Sequence, residues 1–263
     1  MKRVEEHRIA IREGGRRVLD RIFRWTGLKR QYRPAGVRCP IVLYHGVSED
    51  PRPWDVTPTQ FRRHVEWLSQ TFDLLSVSQA IERWRNGTLP PRPAVITFDD
   101  GLLSTVEYAL PVLEDYEVTA THYIIPGLLG EHFEGEHVMT RDDVVDLQRR
   151  DQEIGAHSMT HPDLTTVSHS RARTELDESR RILAEITGDP PHSFAYPSGA
   201  FDRNLTTVAA RAGFETATTV VASDIVNFRQ PFSIPRISIM RTHDLKALKS
   251  LVDGDRRWQK VLT

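Results

Sequence analysis

From residue 41 to residue 252, short apolar runs alternate with longer amphipathic segments. This alternation is typical of α/β proteins, in which strands and helices follow one another along the chain. The predicted strands span residues 41–45, 72–76, 94–98, 120–125, 153–157, 193–196, 214–220 and 234–239. The predicted helices span residues 59–70, 78–86, 104–116, 141–150, 168–187, 203–212 and 243–252. Seven or eight such units predict either a distorted (β/α) barrel or a doubly wound sheet, and both place chemistry at the carboxyl ends of the strands.

Composition excludes several classes of protein. With 39% hydrophobic and 27% charged residues, the 263-residue chain has the balance of an ordinary globular protein. Cys39 is its single cysteine, which excludes an internal disulfide and a cysteine-cluster metal site. The glycine-rich signatures of dinucleotide and P-loop phosphate binding are absent from the sequence. Their absence weakens the nucleotide-binding alternative. We also expect no nucleic-acid partner.

Charge divides the chain into two parts. Residues 1–38 carry twelve Lys and Arg against four Asp and Glu, a formal charge of +8, which leaves −9 for the rest of a chain with net charge −1. We therefore predict a basic helical arm and linker at residues 1–38 and a catalytic domain at residues 39–263. The sequence does not indicate an oligomeric state.

The arm contains a basic amphipathic segment at residues 16–28. Val18, Ile22 and Trp25 share one helical face, and arginines occupy much of the other. Such a helix either docks on the domain or makes peripheral membrane contact through residues 1–30, and both interpretations remain open. Because arginines interrupt every apolar run that could form a signal peptide, the sequence predicts a cytoplasmic location.

One predicted strand ends in two adjacent carboxylates. Asp99, Asp100 and Gly101 follow the apolar run at residues 94–98. An aspartate before a helix commonly caps free N–H groups, which is the first interpretation. The second is an active-site floor. Neighbouring strand residues point to opposite faces, but a turn at Gly101 would let both carboxylates face one cleft.

A histidine pair follows another predicted strand. His157 and His161 lie four residues apart, a spacing that can bring two imidazoles to one metal ion. With one carboxylate they would form a three-ligand site that leaves positions open for water and substrate. A second carboxylate beside the site could accept a proton from the water. Asp100 would then be the metal ligand and Asp99 the base.

Three segments together resemble the NodB-type polysaccharide deacetylases, carbohydrate esterase family 4. They are residues 97–101, residues 157–161 and residues 194–199, in the order that the family has them. Within the family the chain is most similar to the poly-N-acetylglucosamine deacetylases, through residues 43–47, residues 61–68 and residues 161–164. The resemblance covers roughly residues 40–240 and implies the distorted (β/α) barrel of the NodB type.

The resemblance implies an activity. It is metal-dependent hydrolysis of N-acetyl groups on aminosugars, with an acetylated poly- or oligosaccharide as the substrate. Asp100, His157 and His161 would hold a divalent ion, and this ligand set suits zinc. The alternatives are a deacylase of a lipid-linked sugar, of peptidoglycan or of another amide or ester, and a catalytically silent carbohydrate-binding homologue.

The family also implies roles for three residues around the metal. Asp99 would be the base, the backbone N–H of Tyr196 would help to hold the oxyanion, and His45 would protonate the leaving amine. His243 is a rival for the acid role, although its surroundings look like a helix start and His45 lies at a predicted strand end.

The chain departs from the family at one position that matters for Asp99. Ala195 stands where the common third motif has an arginine that orients the base. Arg236, on a late predicted strand, would replace this arginine by pairing with Asp99, or it forms a surface ion pair.

Overall fold

A parallel sheet forms the centre of the molecule. The computed structural model describes residues 36–252, so the predicted arm at residues 1–35 lies outside the described residues. The sheet order is β10-β9-β8-β5-β4-β2-β12, and β3 pairs with the first half of β4. These strands are β2 (Ile41–Tyr44), β3 (Asp73–Leu75), β4 (Pro93–Phe98), β5 (Thr121–Ile124), β8 (Glu153–Ala156), β9 (Ser193–Ala195), β10 (Thr216–Thr218) and β12 (Ile237–Ser238).

Hydrogen bonds join the two edges of this sheet. Ile234 donates its N–H to Ala217, and Arg236 donates its N–H to Val221. The chain then enters β12, which pairs in parallel with β2. The sheet is therefore curled, as in the predicted distorted barrel, and is not the open doubly wound alternative.

Seven α-helices of the described chain surround the sheet, and all lie where a helix is predicted. Thr57 begins the first by accepting a hydrogen bond from the Gln60 N–H, and left-handed Gly188 ends the fifth. The helices are α1 (Pro58–Thr71), α2 (Val77–Asn86), α3 (Leu110–Asp115), α4 (Arg141–Arg149), α5 (His169–Thr187), α6 (Arg203–Arg211) and α7 (Leu245–Val252). None of them is long and apolar enough to span a membrane.

The predicted helix at residues 104–116 has two parts. Residues Thr105–Ala109 form a wider π-helical turn, in which Leu110 donates its N–H to Thr105, and α3 follows. Pro111 has no N–H to donate and would crowd the preceding turn of a regular α-helix. The wider turn relieves that crowding directly after the carboxylate pair.

Four short strands are absent from the sequence prediction. Residues predicted as a linker form β1 (Gly36–Arg38), which pairs antiparallel with β11 (Ile225–Asn227). The folded domain therefore includes residues that the sequence assigned to the arm. The other two strands form a hairpin, β6 (His132–Phe133) and β7 (Glu136–His137). Segments of two or three residues are too short to show a hydrophobic period.

Acid is expected to destabilise the fold through buried His122. Burial lowers the pKa of His122 to about 4 from the ordinary 6.5, so below pH 6.5 the unfolded chain binds a proton that the folded chain excludes. The stability that buried, neutral His122 contributes is fully present above pH 6.5. It is lost progressively as the pH falls from 6.5 towards 4, because protons bind to the unfolded chain. We expect His122→Phe to reduce the stability lost between pH 7 and pH 5 by about 2 kcal/mol. Urea unfolding at both pH values measures this difference, and identical pH dependence in the two proteins would contradict it.

Candidate active site

The carboxylate pair lies where β4 ends and the chain turns. Asp100 and Gly101 have φ angles of 69° and 66°, in the left-handed region. This turn replaces strand geometry, so Asp99 Oδ2 and Asp100 Oδ1 lie 3.8 and 3.5 Å from the same atom, His157 Nε2. A Cβ at position 101 would approach Ile124 Cδ1 to 3.2 Å, which is a second reason for glycine there.

Three predicted metal ligands converge at this edge of the barrel. The ligand atoms of Asp100, His157 and His161 all lie within 4.8 Å of one another. His157 Nδ1 is 2.8 Å from the carbonyl oxygen of Ala195. Because a carbonyl only accepts, Nδ1 carries the proton and the Nε2 lone pair faces the other two ligands. Two imidazole nitrogens and one carboxylate are a donor set that fits a divalent transition metal.

The loop from His157 to His161 has an unusual backbone. Ser158 and His161 have φ angles of 59° and 58°, and the His161 N–H donates to Ser158 Oγ at 3.0 Å. Glu175, on α5, accepts hydrogen bonds from this loop. Glu175 is not among the site residues predicted from the sequence. The signal that could have found it is an acidic residue on the face of α5 that also buries Ala172 and Leu176.

Arg236 holds Asp99 inside the barrel. Its guanidinium donates to both oxygens of Asp99 at 2.6 and 2.7 Å, and its Nε donates to the carbonyl of Thr219 at 2.9 Å. Arg236 is fully buried, so the pair is not a surface ion pair. The hydrogen bonds of the Asp99 side chain thus go to Arg236 and not to the N–H groups of a following helix.

Charge and burial separate the two carboxylates. Burial alone would raise the pKa of Asp99, but Arg236 lowers it to about 2, so this carboxylate is ionised. Burial and the charge of Asp99 raise the pKa of Asp100 to about 8. When no cation is bound, Asp100 therefore holds a proton at neutral pH, and a cation must displace it. Burial lowers the pKa of His157 to about 3, which keeps this imidazole neutral as a ligand must be.

The two candidate acids have different surroundings. His45 follows β2, and burial lowers its pKa while the charge of Asp99 opposes that shift. Its Nδ1 atom is buried without a hydrogen-bond partner among the described residues. His243 accepts a hydrogen bond from the Met240 N–H at 3.1 Å and acts electrostatically on His64. Of the two, His45 is the one under the influence of the carboxylate pair.

Two further residues fix the turn that carries His45, and sequence reasoning missed both. Asp55 is buried and accepts the Gly46 N–H at 2.9 Å. Arg52 donates to both carboxylate oxygens of Asp55, at 2.8 and 3.2 Å, and to the carbonyl of Glu134 at 3.1 Å. Arg52 thus connects the His45 turn to the β6–β7 hairpin. An Arg and an Asp three residues apart in a loop give no sequence signal for this arrangement.

The hairpin borders the metal ligands. The ring of Phe133, in β6, lies edge to face with the His161 ring at a centroid distance of 4.8 Å. Glu134, at the hairpin tip, contributes to raising the pKa of Asp100. One wall of the site is therefore an aromatic ring beside an exposed carboxylate.

The Tyr196 N–H, predicted to help hold the oxyanion, makes a hydrogen bond within the fold. It donates to the carbonyl of Thr218 at 3.2 Å, as part of the pairing that continues from β9 and β10. The hydroxyl of Tyr196 donates to the carbonyl of Phe232 at 3.1 Å. An oxyanion would have to share or replace the bond between the Tyr196 N–H and Thr218, and this role of Tyr196 stays a prediction.

Comparisons with known proteins identify relatives of this chain. The sequence pattern of the family described as polysaccharide deacetylase matches residues 86–217. The Bacillus subtilis (strain 168) protein YxkH, itself described as a polysaccharide deacetylase, is 23% identical over 184 residues. That match covers 69% of this chain and 64% of YxkH, just under two thirds of its length.

A second relative and a solved structure extend the comparison. The poly-beta-1,6-N-acetyl-D-glucosamine N-deacetylase of Staphylococcus aureus (strain MRSA252) is 23% identical over 210 residues, which are 76% of this chain and 72% of that protein. The solved Streptococcus pyogenes deacetylase PplD superimposes with a TM-score of 0.74 at 24% identity. The superposition covers 82% of this chain and 98% of PplD, which shows a shared fold.

Proposed function

Because this chain belongs to the polysaccharide deacetylase family, we propose that it is a metal-dependent hydrolase that removes N-acetyl groups from aminosugars of a poly- or oligosaccharide. The observation that carries this proposal is the group of three metal-ligand side chains beside an ionised, arginine-held Asp99. A ligand set next to a fixed carboxylate is what hydrolysis by activated water requires. A catalytically silent homologue would have no need to retain it.

Asp100, His157 and His161 would hold the ion. Their donor atoms suit zinc, and the proton on His157 Nδ1 already directs its Nε2 towards the other two ligands. When bound, the divalent ion supplies Lewis acidity, which polarises the acyl carbonyl and makes water a stronger acid.

Proton transfer falls to Asp99 and His45. Asp99 is ionised and can accept a proton from the attacking water, and Arg236 fixes the direction of its carboxylate. His45 would donate a proton to the departing nitrogen. Burial lowers the pKa of His45, but the charge of Asp99 opposes that shift and favours the protonated imidazole that a general acid requires.

The substrate class follows the relatives. The Staphylococcus aureus relative is named for poly-β-1,6-N-acetylglucosamine, and we propose the same polymer class for this chain. The test is acetate release by the purified, zinc-loaded protein from N-acetylglucosamine oligomers, with lipid-linked acetylated aminosugars, peptidoglycan and O-acetylated sugars in parallel. Release from the oligomers supports the proposal. Release of acetate from only one of the other substrates would reassign the substrate. Bound zinc without acetate release from any of them would favour the silent homologue.

His45→Ala is expected to retain zinc and to slow turnover by a factor on the order of 10²–10⁴. The physical reason is that a protonated imidazole would no longer assist departure of the amine. Acetate release and zinc content of the same preparations are the measurements. His243→Ala is the matched control and should change turnover by less than twofold; if it is the more damaging variant, the acid assignment is wrong.

The basic arm gives a separate prediction about location. We expect the full chain to co-sediment with vesicles that contain anionic lipid and to lose this binding in high salt, because its positive charge would attract the headgroups. Deletion of residues 1–33 should abolish co-sedimentation and leave acetate release intact. Equal binding before and after the deletion would remove the membrane proposal.

A further inference from the structure

The loop between the two metal-binding histidines is attached to α5 by one buried side chain. Glu175 Oε2 accepts the backbone N–H groups of Met159 and Thr160, at 2.9 and 2.8 Å. Glu175 Oε1 accepts the Thr160 hydroxyl at 2.7 Å. Only 1% of Glu175 is exposed, so its carboxylate is satisfied by protein donors and not by bulk water. One carboxylate therefore satisfies three donors of a five-residue loop.

This loop needs an external restraint. Ser158 and His161 both have left-handed backbones, which residues with a Cβ keep only when their surroundings enforce it. Ser158 Oγ accepts the His161 N–H and closes the turn from within. The restraint from outside the loop comes from α5, a regular helix of 19 residues. A rigid helix therefore defines where His161 stands relative to His157.

We propose that Glu175 is a positioning residue that preorganises His161 for metal binding, an inference that rests on the proposed metal site. The Glu175 carboxylate binds the backbone of the loop, whereas the imidazoles of His157 and His161 lie 3.5 and 3.6 Å from Asp100 Oδ1. Without Glu175 the N–H groups of Met159 and Thr160 lose the acceptor that ties them to α5, and the loop leaves its left-handed geometry. His161 then spends less time within reach of the other two ligands, and the metal binds more weakly.

The negative charge of Glu175 is part of the arrangement. Arg171 Nη2, one helical turn earlier, lies 2.6 Å from Glu175 Oε1 and compensates the buried charge. A glutamine at this position would keep one acceptor oxygen for the two backbone N–H groups. It would present an amide N–H₂ to the Thr160 hydroxyl and Arg171, which are the partners of Oε1. We therefore expect Glu175→Gln to retain part of the restraint.

The experiment measures zinc affinity by competition with a chelator in the full chain. We expect Glu175→Ala to raise the zinc dissociation constant by about 10- to 100-fold, and Glu175→Gln to raise it by a smaller factor. Glu178→Gln is the matched control, because Glu178 lies on the same helix, is exposed and pairs with Arg181. It should change the constant by less than twofold. The visible spectrum of the cobalt-loaded protein should change in Glu175→Ala, because His161 leaves the coordination sphere, and return towards wild type in Glu175→Gln.

A zinc affinity of folded Glu175→Ala within twofold of wild type would overturn the proposal. If Glu175→Ala does not fold, the zinc affinity of Glu175→Gln is the test. An affinity of Glu175→Gln equal to that of the Glu178→Gln control would then overturn the proposal. Near-ultraviolet circular dichroism establishes folding in each case. The affinity measurement does not depend on turnover, so a wild-type protein that binds zinc without releasing acetate refutes the proposed function and leaves the role of Glu175 testable.

Discussion

Replacement of Arg236 by methionine is expected to lower the free energy of unfolding by about 3–5 kcal/mol, because it leaves the buried charge of Asp99 without a partner. Turnover should fall as well, since the pKa of Asp99 would rise and its carboxylate would lose its fixed direction. Urea unfolding and acetate release measure the two effects. Arg181→Met is the control, because Arg181 lies at the surface, where its pairs with Glu178 and Glu185 are solvated, and its loss should leave the free energy of unfolding almost unchanged.

A double variant separates the charge effect from lost packing. If the cost of Arg236→Met is mainly the unpaired carboxylate, adding Asp99→Asn should recover part of the lost stability. If the double variant is as unstable as the sum of the two single variants, Arg236 contributes through packing alone. An Arg236→Met variant no less stable than Arg181→Met would contradict the importance of the buried pair.

Asp99→Asn and Asp100→Ala are expected to inactivate the enzyme in different ways. Asp99→Asn should retain zinc and reduce turnover by a factor on the order of 10²–10⁴, because the amide cannot accept the proton of water. Asp100→Ala and His157→Ala should instead lose zinc, because each removes one of three ligands. Zinc content after dialysis against a weak chelator, together with acetate release at saturating zinc, distinguishes the two outcomes.

Equal loss of zinc in all three variants would refute this division of roles between the neighbouring carboxylates. His45→Ala provides a further reference, since it should resemble Asp99→Asn in zinc content and in its residual turnover. Both residues act on protons and neither belongs to the ligand set.

Local signals in the sequence were sufficient to predict the main helices and strands of the fold. Every strand of the barrel and every α-helix of the described residues lies within a few residues of its predicted position, because apolar periodicity and capping residues such as Thr57 and Gly188 report on local structure. The short strands β1, β6, β7 and β11 have no such period. The π-helical turn at residues 105–109 follows from Pro111, whose effect on the preceding turn a pattern of apolar residues does not show.

The candidate site was predictable where chemistry concentrates in short segments. Asp99, Asp100, His157 and His161 lie at strand ends, and the structure brings their side chains together. Hydrogen-bond partners that depend on tertiary contacts could not be derived from the sequence. The Glu175 carboxylate reaches the histidine loop across 15 residues, and the Tyr196 N–H is engaged by a neighbouring strand.

Closure of the barrel by residues 234–236 also has a consequence for folding. Asp99 and Arg236 are 137 positions apart, so during synthesis the carboxylate emerges long before the guanidinium that neutralises it. Until the last strand docks, Asp99 must remain in contact with water, because its burial without Arg236 is costly. Because contacts of such high sequence separation form slowly, we expect the ion pair to form late in folding. A chain that still lacks residues 234–236 therefore has no group that can hold the Asp99 carboxylate in a fixed direction.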